Sequence, residues 1–150
     1  MSEQKQGGGT ARPDIIVSAR APEPVGPYPH ARRVGSLIFV SGMGPRRRGE
    51  KQIPGITFDD DGRVLDWDIQ VEARAVFDNL RVILEDAGSS LERIVDVTVF
   101  LTDIGRDFQA FNQVYGEILG HVQPSRTTVE VGRLPTPIHV ELKVIATVDA

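Results

Sequence analysis

The chain has no cysteine among its 150 residues. That excludes disulfides, thiol nucleophiles and Cys-ligated zinc or iron–sulfur centres. It has no uninterrupted apolar run approaching the ~18 residues of a membrane span, and its N-terminus lacks the apolar core of a signal peptide. A soluble, cytoplasmic protein is therefore expected. Positive charge is in deficit: 17 Lys and Arg against 21 Asp and Glu give a net charge of −4, with a pI near 5.4. Nucleic-acid binding needs a basic field, so it is disfavoured. Histidine is scarce, at three residues. Neither an HxxxH pattern nor a His–carboxylate cluster at ligand spacing is present, so no metal site is expected and no cofactor motif stands out.

What remains is an ordinary globular composition, 40% hydrophobic and 25% charged, of a length that suits one domain with a sizeable core. Residues 1–13 carry three consecutive glycines and no apolar period, and read as a disordered tail before a domain over 14–150. Asp14 to Ser18 reads as a short strand. Four prolines between Ala21 and Pro29 make a stiff extended loop. Ala31–Val34 and Ser36–Gly42 read as strands joined at Gly35-Ser36. Residues 43–67 are rich in loops. The triplet Asp59-Asp60-Asp61 before Gly62 lacks the alternate spacing and closing glutamate of a calcium loop, and reads as a turn. Residues 68–87 carry a helical apolar repeat, with Asp66 or Asp68 as N-cap and Gly88 just beyond the C-terminus. Ile94–Leu101 is a β-branched strand. A second helix is predicted over 107–119, with Phe108, Phe111, Tyr115, Ile118 and Leu119 on one face.

Two β-like runs close the chain, Gln123–Val131 and His139–Ala146. In the first, Arg126, Thr128 and Glu130 share one face; in the second, His139, Glu141 and Lys143 lie opposite the apolar set. If these strands pair, Arg126 and Glu141 meet at a common rim, equipped to hold a carboxylate and move a proton. The order β-β-β-α-β-α-β-β predicts an α+β fold with helices on one sheet face. The other face needs cover, from barrel-like closure or self-association.

Several segments, in this order, resemble one family: Gly26-Pro27-Tyr28, Phe39-Val40-Ser41-Gly42, Asp78-Asn79-Leu80, Thr98–Leu101, Asn112 with Tyr115, Pro124-Ser125-Arg126-Thr127, Leu134-Pro135 and Val140-Glu141-Leu142. Together they resemble the reactive-intermediate deaminase (RidA or YjgF) family, formerly called endoribonuclease L-PSP or translation inhibitor. The resemblance implies a chorismate-mutase-like α+β domain, with a mostly antiparallel sheet and two helices on one face, assembled as a homotrimer with sites between subunits. It also implies cofactor-free hydrolysis of enamine and imine acids to 2-oxo acids and ammonia. Carried over by motif, Arg126 grips the substrate carboxylate and Glu141 positions or activates water. Tyr28, Ser41 and Asn112 line the pocket, and Thr128 stands where many members have cysteine. The segments Tyr28-Pro29-His30-Ala31-Arg32-Arg33 and Met43-Gly44-Pro45-Arg46-Arg47-Arg48 look like the 2-aminomuconate deaminase branch, which converts 2-aminomuconate to 4-oxalocrotonate in aromatic catabolism.

Each residue also has a plainer reading. Arg126 alone is an edge-strand charge, Glu141 part of a solvated strand face, Tyr28 a packing residue and His30 a surface histidine. His30 and Arg46 are candidates for holding a second carboxylate; the run Arg46–Arg48 otherwise reads as a solvated loop or an RNA contact. The RNA reading lacks interleaved aromatics. Two other functions stay open besides the deaminase: a ribonuclease or RNA-binding protein, and a non-enzymatic ligand-binding trimer.

Overall fold

The computed structural model describes residues 12–149. Most of the expected tail over residues 1–13 thus lies outside the described residues. Within the described residues Ile15 N donates to the Arg12 carbonyl in the turn that opens the first strand.

The strands are β1 (Ile15–Ile16), β2 (Ala31–Val34), β3 (Leu37–Val40), β4 (Ile56–Phe58), β5 (Val64–Trp67), β6 (Ile94–Leu101), β7 (Ser125–Glu130) and β8 (Val140–Thr147). Two helices, α1 (Ile69–Asp86) and α2 (Ile104–Leu119), precede β6 and β7. Six strands form one sheet in the order β1-β2-β3-β8-β6-β7, while β4 and β5 form a separate hairpin. Every pairing in the large sheet is antiparallel except β6 with β7. The α+β fold with helices on one face is as expected.

Local chemistry explains the boundaries. The Asp68 carboxylate accepts from Gln70 N and Val71 N, capping α1. Gly88, at φ +84°, ends it: Gly88 N reaches the Glu85 carbonyl and Ser89 N the Leu84 carbonyl, a Schellman closure that favours glycine. α2 begins three residues before its predicted start, because the Asp103 side chain accepts from Arg106 N. Its buried face carries Asp107, Phe111, Val114 and Leu119. Phe108, expected on the same apolar face, is 39% exposed. The acidic triplet is a hairpin turn, in which the Asp59 carboxylate accepts from Asp61 N and Arg63 N.

The core lies between the helices and one sheet face, where Val140, Leu142, Val144 and Ala146 of β8 meet Val97, Val99 and Leu101 of β6 and the apolar stripe of α1. The opposite face, with Phe39, Thr98, Phe100, Glu141 and Ile145, has no helix over it. One expectation fails here. β7 and β8 do not pair: β6 runs between them, parallel to one and antiparallel to the other.

Candidate functional site: two separated half-sites

Glu141 sits at the start of β8, opposite Phe100. The chain continuing from β3 passes alongside it: Met43 N donates to the Leu142 carbonyl at 2.8 Å and Leu142 N returns the bond at 2.9 Å. That puts Gly42 against the Glu141 side chain. A Cβ at position 42 would fall 2.9 Å from the Glu141 carboxyl carbon, so a larger residue there would require the Glu141 side chain to shift. Burial pushes the Glu141 pKa up, and Lys143 partly opposes the rise. Lys143 Nζ is itself tied to the Val40 carbonyl at 3.0 Å. Among the described residues the Glu141 carboxylate has no hydrogen-bond partner. A half-buried carboxylate with a raised pKa and free lone pairs is suited to taking a proton from water.

Glu141 faces a cavity of about 150 Å³, walled by the proline-rich segment 22–29 on one side and by Pro135, Thr136 and Ile138 on the other. Tyr28, His30, Ser41 and Arg46 line the same cavity, so five of the eight candidate residues are gathered there. Their chemistry differs. Ser41 Oγ donates to the Pro29 carbonyl at 2.8 Å, which leaves its lone pairs to accept. Tyr28 is 43% exposed, not a core residue. Arg46 reaches the Glu23 carbonyl with one terminal nitrogen at 2.9 Å. His30 is not a surface histidine. It is buried, its Nδ1 accepts from Ser18 N at 3.0 Å, and its Nε2 lies 2.7 Å from the Pro22 carbonyl. With Nδ1 an acceptor and Nε2 a donor, the ring is spent on bracing the proline loop. The expectation of His30 as a substrate contact is corrected accordingly.

The remaining arginines of the two basic segments are also engaged. Arg48 bonds the Ala21 and Ser18 carbonyls and the Glu23 carboxylate. Arg47 lies 3.9 Å from Asp78. Arg32 pairs with Asp14, and Arg33 bonds the Gly35 and Asp149 carbonyls. Of all these cations only Arg46 borders the cavity.

Arg126, Thr128 and Asn112 belong elsewhere. Arg126 Nε donates to Thr128 Oγ1 at 2.8 Å, and the guanidinium carbon lies 4.5 Å from the Tyr115 ring centre, with Phe111 at 5.4 Å and Phe108 at 5.8 Å. The aromatic stack and the threonine hold the guanidinium flat and in one orientation. Its two terminal nitrogens make no hydrogen bond among the described residues and remain available as a fork. Asn112 lies on the α2 face between Phe108 and Tyr115. The Asn112 Oδ1 and Tyr115 hydroxyl are both buried without a partner. Burial raises the Tyr115 pKa and lowers that of Arg126, which stays charged at any working pH.

The two groups do not meet within one chain. Arg126 stands opposite Val97, and Glu141 opposite Phe100. Val97 faces the helices and Phe100 the open side, and residues opposite one another in a sheet share a face. Arg126 and Glu141 are thus on opposite faces, two strands and three register positions apart, roughly 14 Å from standard strand spacings. The common rim expected from direct pairing is absent because β6 separates the strands. Two contributors were missed from the sequence, Gly42 and Asn79. The Asn79 amide donates to the Gly44 carbonyl at 2.9 Å and the Arg46 carbonyl at 2.8 Å, fixing the wall that carries Arg46. Both stand inside the segments Phe39–Gly42 and Asp78–Leu80, which was the available signal.

A family model described as Endoribonuclease L-PSP matches residues 18–148. A RutC family protein of Pyrococcus abyssi is 40% identical over 133 residues, covering 89% of this chain and 95% of the relative. TdcF of Escherichia coli, named as a candidate reactive intermediate deaminase, is 35% identical over 135 residues, covering 88% of this chain and 95% of TdcF. The crystal structure of E. coli TdcF with bound serine superposes with a TM-score of 0.76 at 33% identity, covering 90% of this chain and 98% of that one.

Proposed function

The chain belongs to the endoribonuclease L-PSP family, and on that premise we propose that it is a cofactor-free hydrolytic deaminase of imine and enamine acids. Each site would take Arg126 from one copy and Glu141 from the next. The observation that carries this reading is the pair of half-sites: a guanidinium fork with free donors on one face, and an unpartnered, desolvated carboxylate in a small cavity on the other. A cavity of 150 Å³ is small beside ordinary ligand pockets of about 300–1,000 Å³. A second copy laid against the open sheet face would enlarge and close it, and would bury Phe39, Phe100 and Ile145. A homotrimer with three such sites satisfies these demands with one repeated interface.

In the proposed reaction Arg126 binds the substrate carboxylate through two parallel charge-assisted bonds. The enamine tautomerises to the imine, and Glu141 takes a proton from water as the water oxygen bonds to the imine carbon. The carbinolamine then collapses, the C–N bond breaks, and ammonia leaves with a returned proton. Tyr28, Ser41 and Asn112 would line the joined pocket, and Thr128 would orient Arg126. TdcF supports the class through its name and through the amino acid bound in its crystal structure. The test is ammonia release from 2-iminopropionate generated in situ; a rate equal to that in buffer overturns the reading.

The finer proposal is a dicarboxylate substrate such as 2-aminomuconate, with Arg46 as the second anchor. It rests on Arg46 being the arginine of the basic loop that borders the cavity. Arg46→Ala should then lower kcat/KM for the dicarboxylate and spare the monocarboxylate; equal losses leave the general imine deaminase. The RNA reading draws little support, because Arg47 and Arg48 are engaged within the chain.

A further inference from the structure

Glu72 is a wholly buried carboxylate on α1 with no part in the chemistry above. Such a group is costly unless it is hydrogen-bonded on both oxygens. Here both are bonded to one residue 67 positions away: Oε1 accepts from His139 N at 2.9 Å and Oε2 from His139 Nδ1 at 2.8 Å. The His139 imidazole is stacked on Trp67, with 3.8 Å between ring centres and 2° between planes. Arg106 covers Trp67 at 3.8 Å, and sterically only the other face is open to it. Trp67 Nε1 donates to the buried Asp107 carboxylate at 2.9 Å.

What this assembly holds is the residue two positions before Glu141. His139 ends the loop 132–138, whose other foot is the bond from Val131 N to the Leu101 carbonyl. Pro135, Thr136 and Ile138 of that loop wall the Glu141 cavity, and the same three residues also line a second, open cavity. Apart from Ile138 and Leu134, which pack near Ile53 and Ile56, the position of the loop depends on its feet.

We propose that Glu72 and His139 are positioning residues for Glu141, a buried carboxylate–imidazole pin that fixes the foot of loop 132–138 and with it the wall against which Glu141 is desolvated. The inference rests on Glu141 being the base, and its test does not depend on activity alone. The titration of Glu141 is followed by 13C-carboxyl NMR, with the signal assigned by its loss in Glu141→Gln. Glu23, Tyr28, His30, Arg46 and Lys143 are the other titratable groups around that carboxylate.

Glu72→Gln can still accept from His139 N and can donate to the opposite ring tautomer, so it should keep the wild-type titration and turnover. Glu72→Leu with His139→Phe replaces the pin by apolar groups that retain the stack on Trp67, an exchange that often preserves stability. It leaves the backbone N–H of residue 139 without its acceptor, while the carbonyl of that residue keeps the bond from Thr102 N at 3.2 Å. Glu141 should then titrate lower, toward the ordinary glutamate range, and kcat should fall roughly tenfold with KM little changed, as for a misplaced catalytic group. His139→Ala is the substitute if the double variant does not fold, and must shift Glu141 in the same direction. A folded variant with wild-type Glu141 titration and kcat overturns the proposal. A shifted titration in a protein that hydrolyses no imine upholds the pin and removes the deaminase reading.

Discussion

Mixing two variants, each expected to be inactive, tests the proposed divided site directly. Arg126→Ala removes a guanidinium whose two free terminal nitrogens are positioned by Thr128 and by the rings of Tyr115, Phe111 and Phe108. Each charge-assisted bond is worth about 1.5–3 kcal/mol. Losing two therefore costs about 3–6 kcal/mol, a fall of about 10²–10⁴ in kcat/KM. Glu141→Gln removes the proposed base and should lower kcat more than it changes KM. If each site joins Arg126 of one copy to Glu141 of the next around a closed ring, subunit exchange at a 1:1 ratio regenerates intact pairs at about one site in four, so about a quarter of wild-type activity returns. Exchanging wild type with the double variant Arg126→Ala/Glu141→Gln should leave the same quarter, whereas sites contained within one chain would leave about half. Heteromer formation is checked by native mass spectrometry, and activity by ammonia release. Heteromers without recovered activity would refute the shared site, since no rearrangement of one chain short of refolding brings residues from opposite sheet faces together.

Further outcomes follow from the same geometry. Light scattering should give about three times the 16.4 kDa chain mass; a monomer at micromolar concentration removes the interfacial site. Arg126→Lys should fail nearly as badly as Arg126→Ala, since an ammonium cannot make the parallel fork, and near-normal kcat/KM would contradict carboxylate binding there. Gly42→Ala drives a methyl group into the Glu141 carboxylate and should lower kcat with assembly intact by light scattering; unchanged turnover would show that the carboxylate has room to move. Because burial raises the Glu141 pKa, the acid limb of the rate profile should lie above the usual glutamate value of about 4.3. The linked stability runs the other way: it is fully present below the unfolded-state pKa and is lost as pH rises through the raised folded-state pKa. Glu141→Gln should therefore be more stable than wild type at neutral pH and lose that advantage in acid, as read by urea denaturation.

The helices were legible because their signals are local. Asp68 and Gly88 bound α1, and its apolar repeat names the face it buries. α2 was read three residues short, since Asp103 caps it from outside the apolar run. The sheet order was less accessible. Alternation in 123–131 and 139–146 identifies two strands with a polar face each, but it does not say which strand lies between them. That one missing fact reverses the relation of Arg126 to Glu141.

The basic segments show a second limit. Arg32, Arg33, Arg46, Arg47 and Arg48 are indistinguishable as a charge pattern, yet the fold assigns them different tasks. Arg48 ties segment 18–23 through two carbonyls and a carboxylate, Arg33 closes onto the chain end, and Arg32 and Arg47 pair with Asp14 and Asp78. Backbone carbonyls left by a proline-rich loop have few neighbouring N–H donors, because each proline lacks one. Arg48, Arg46 and His30 supply donors to the Ser18, Ala21, Pro22 and Glu23 carbonyls. Two of the five arginines, Arg46 and Arg48, are therefore means by which the proline wall of the cavity is held, and the other three are engaged elsewhere in the chain. Arg46 alone does both, bracing Glu23 with one nitrogen while bordering the space that Glu141 faces. Among the arginines of the basic segments Arg46 is the one that borders the cavity, so Arg46→Ala is the substitution that tests a dicarboxylate against a monocarboxylate substrate.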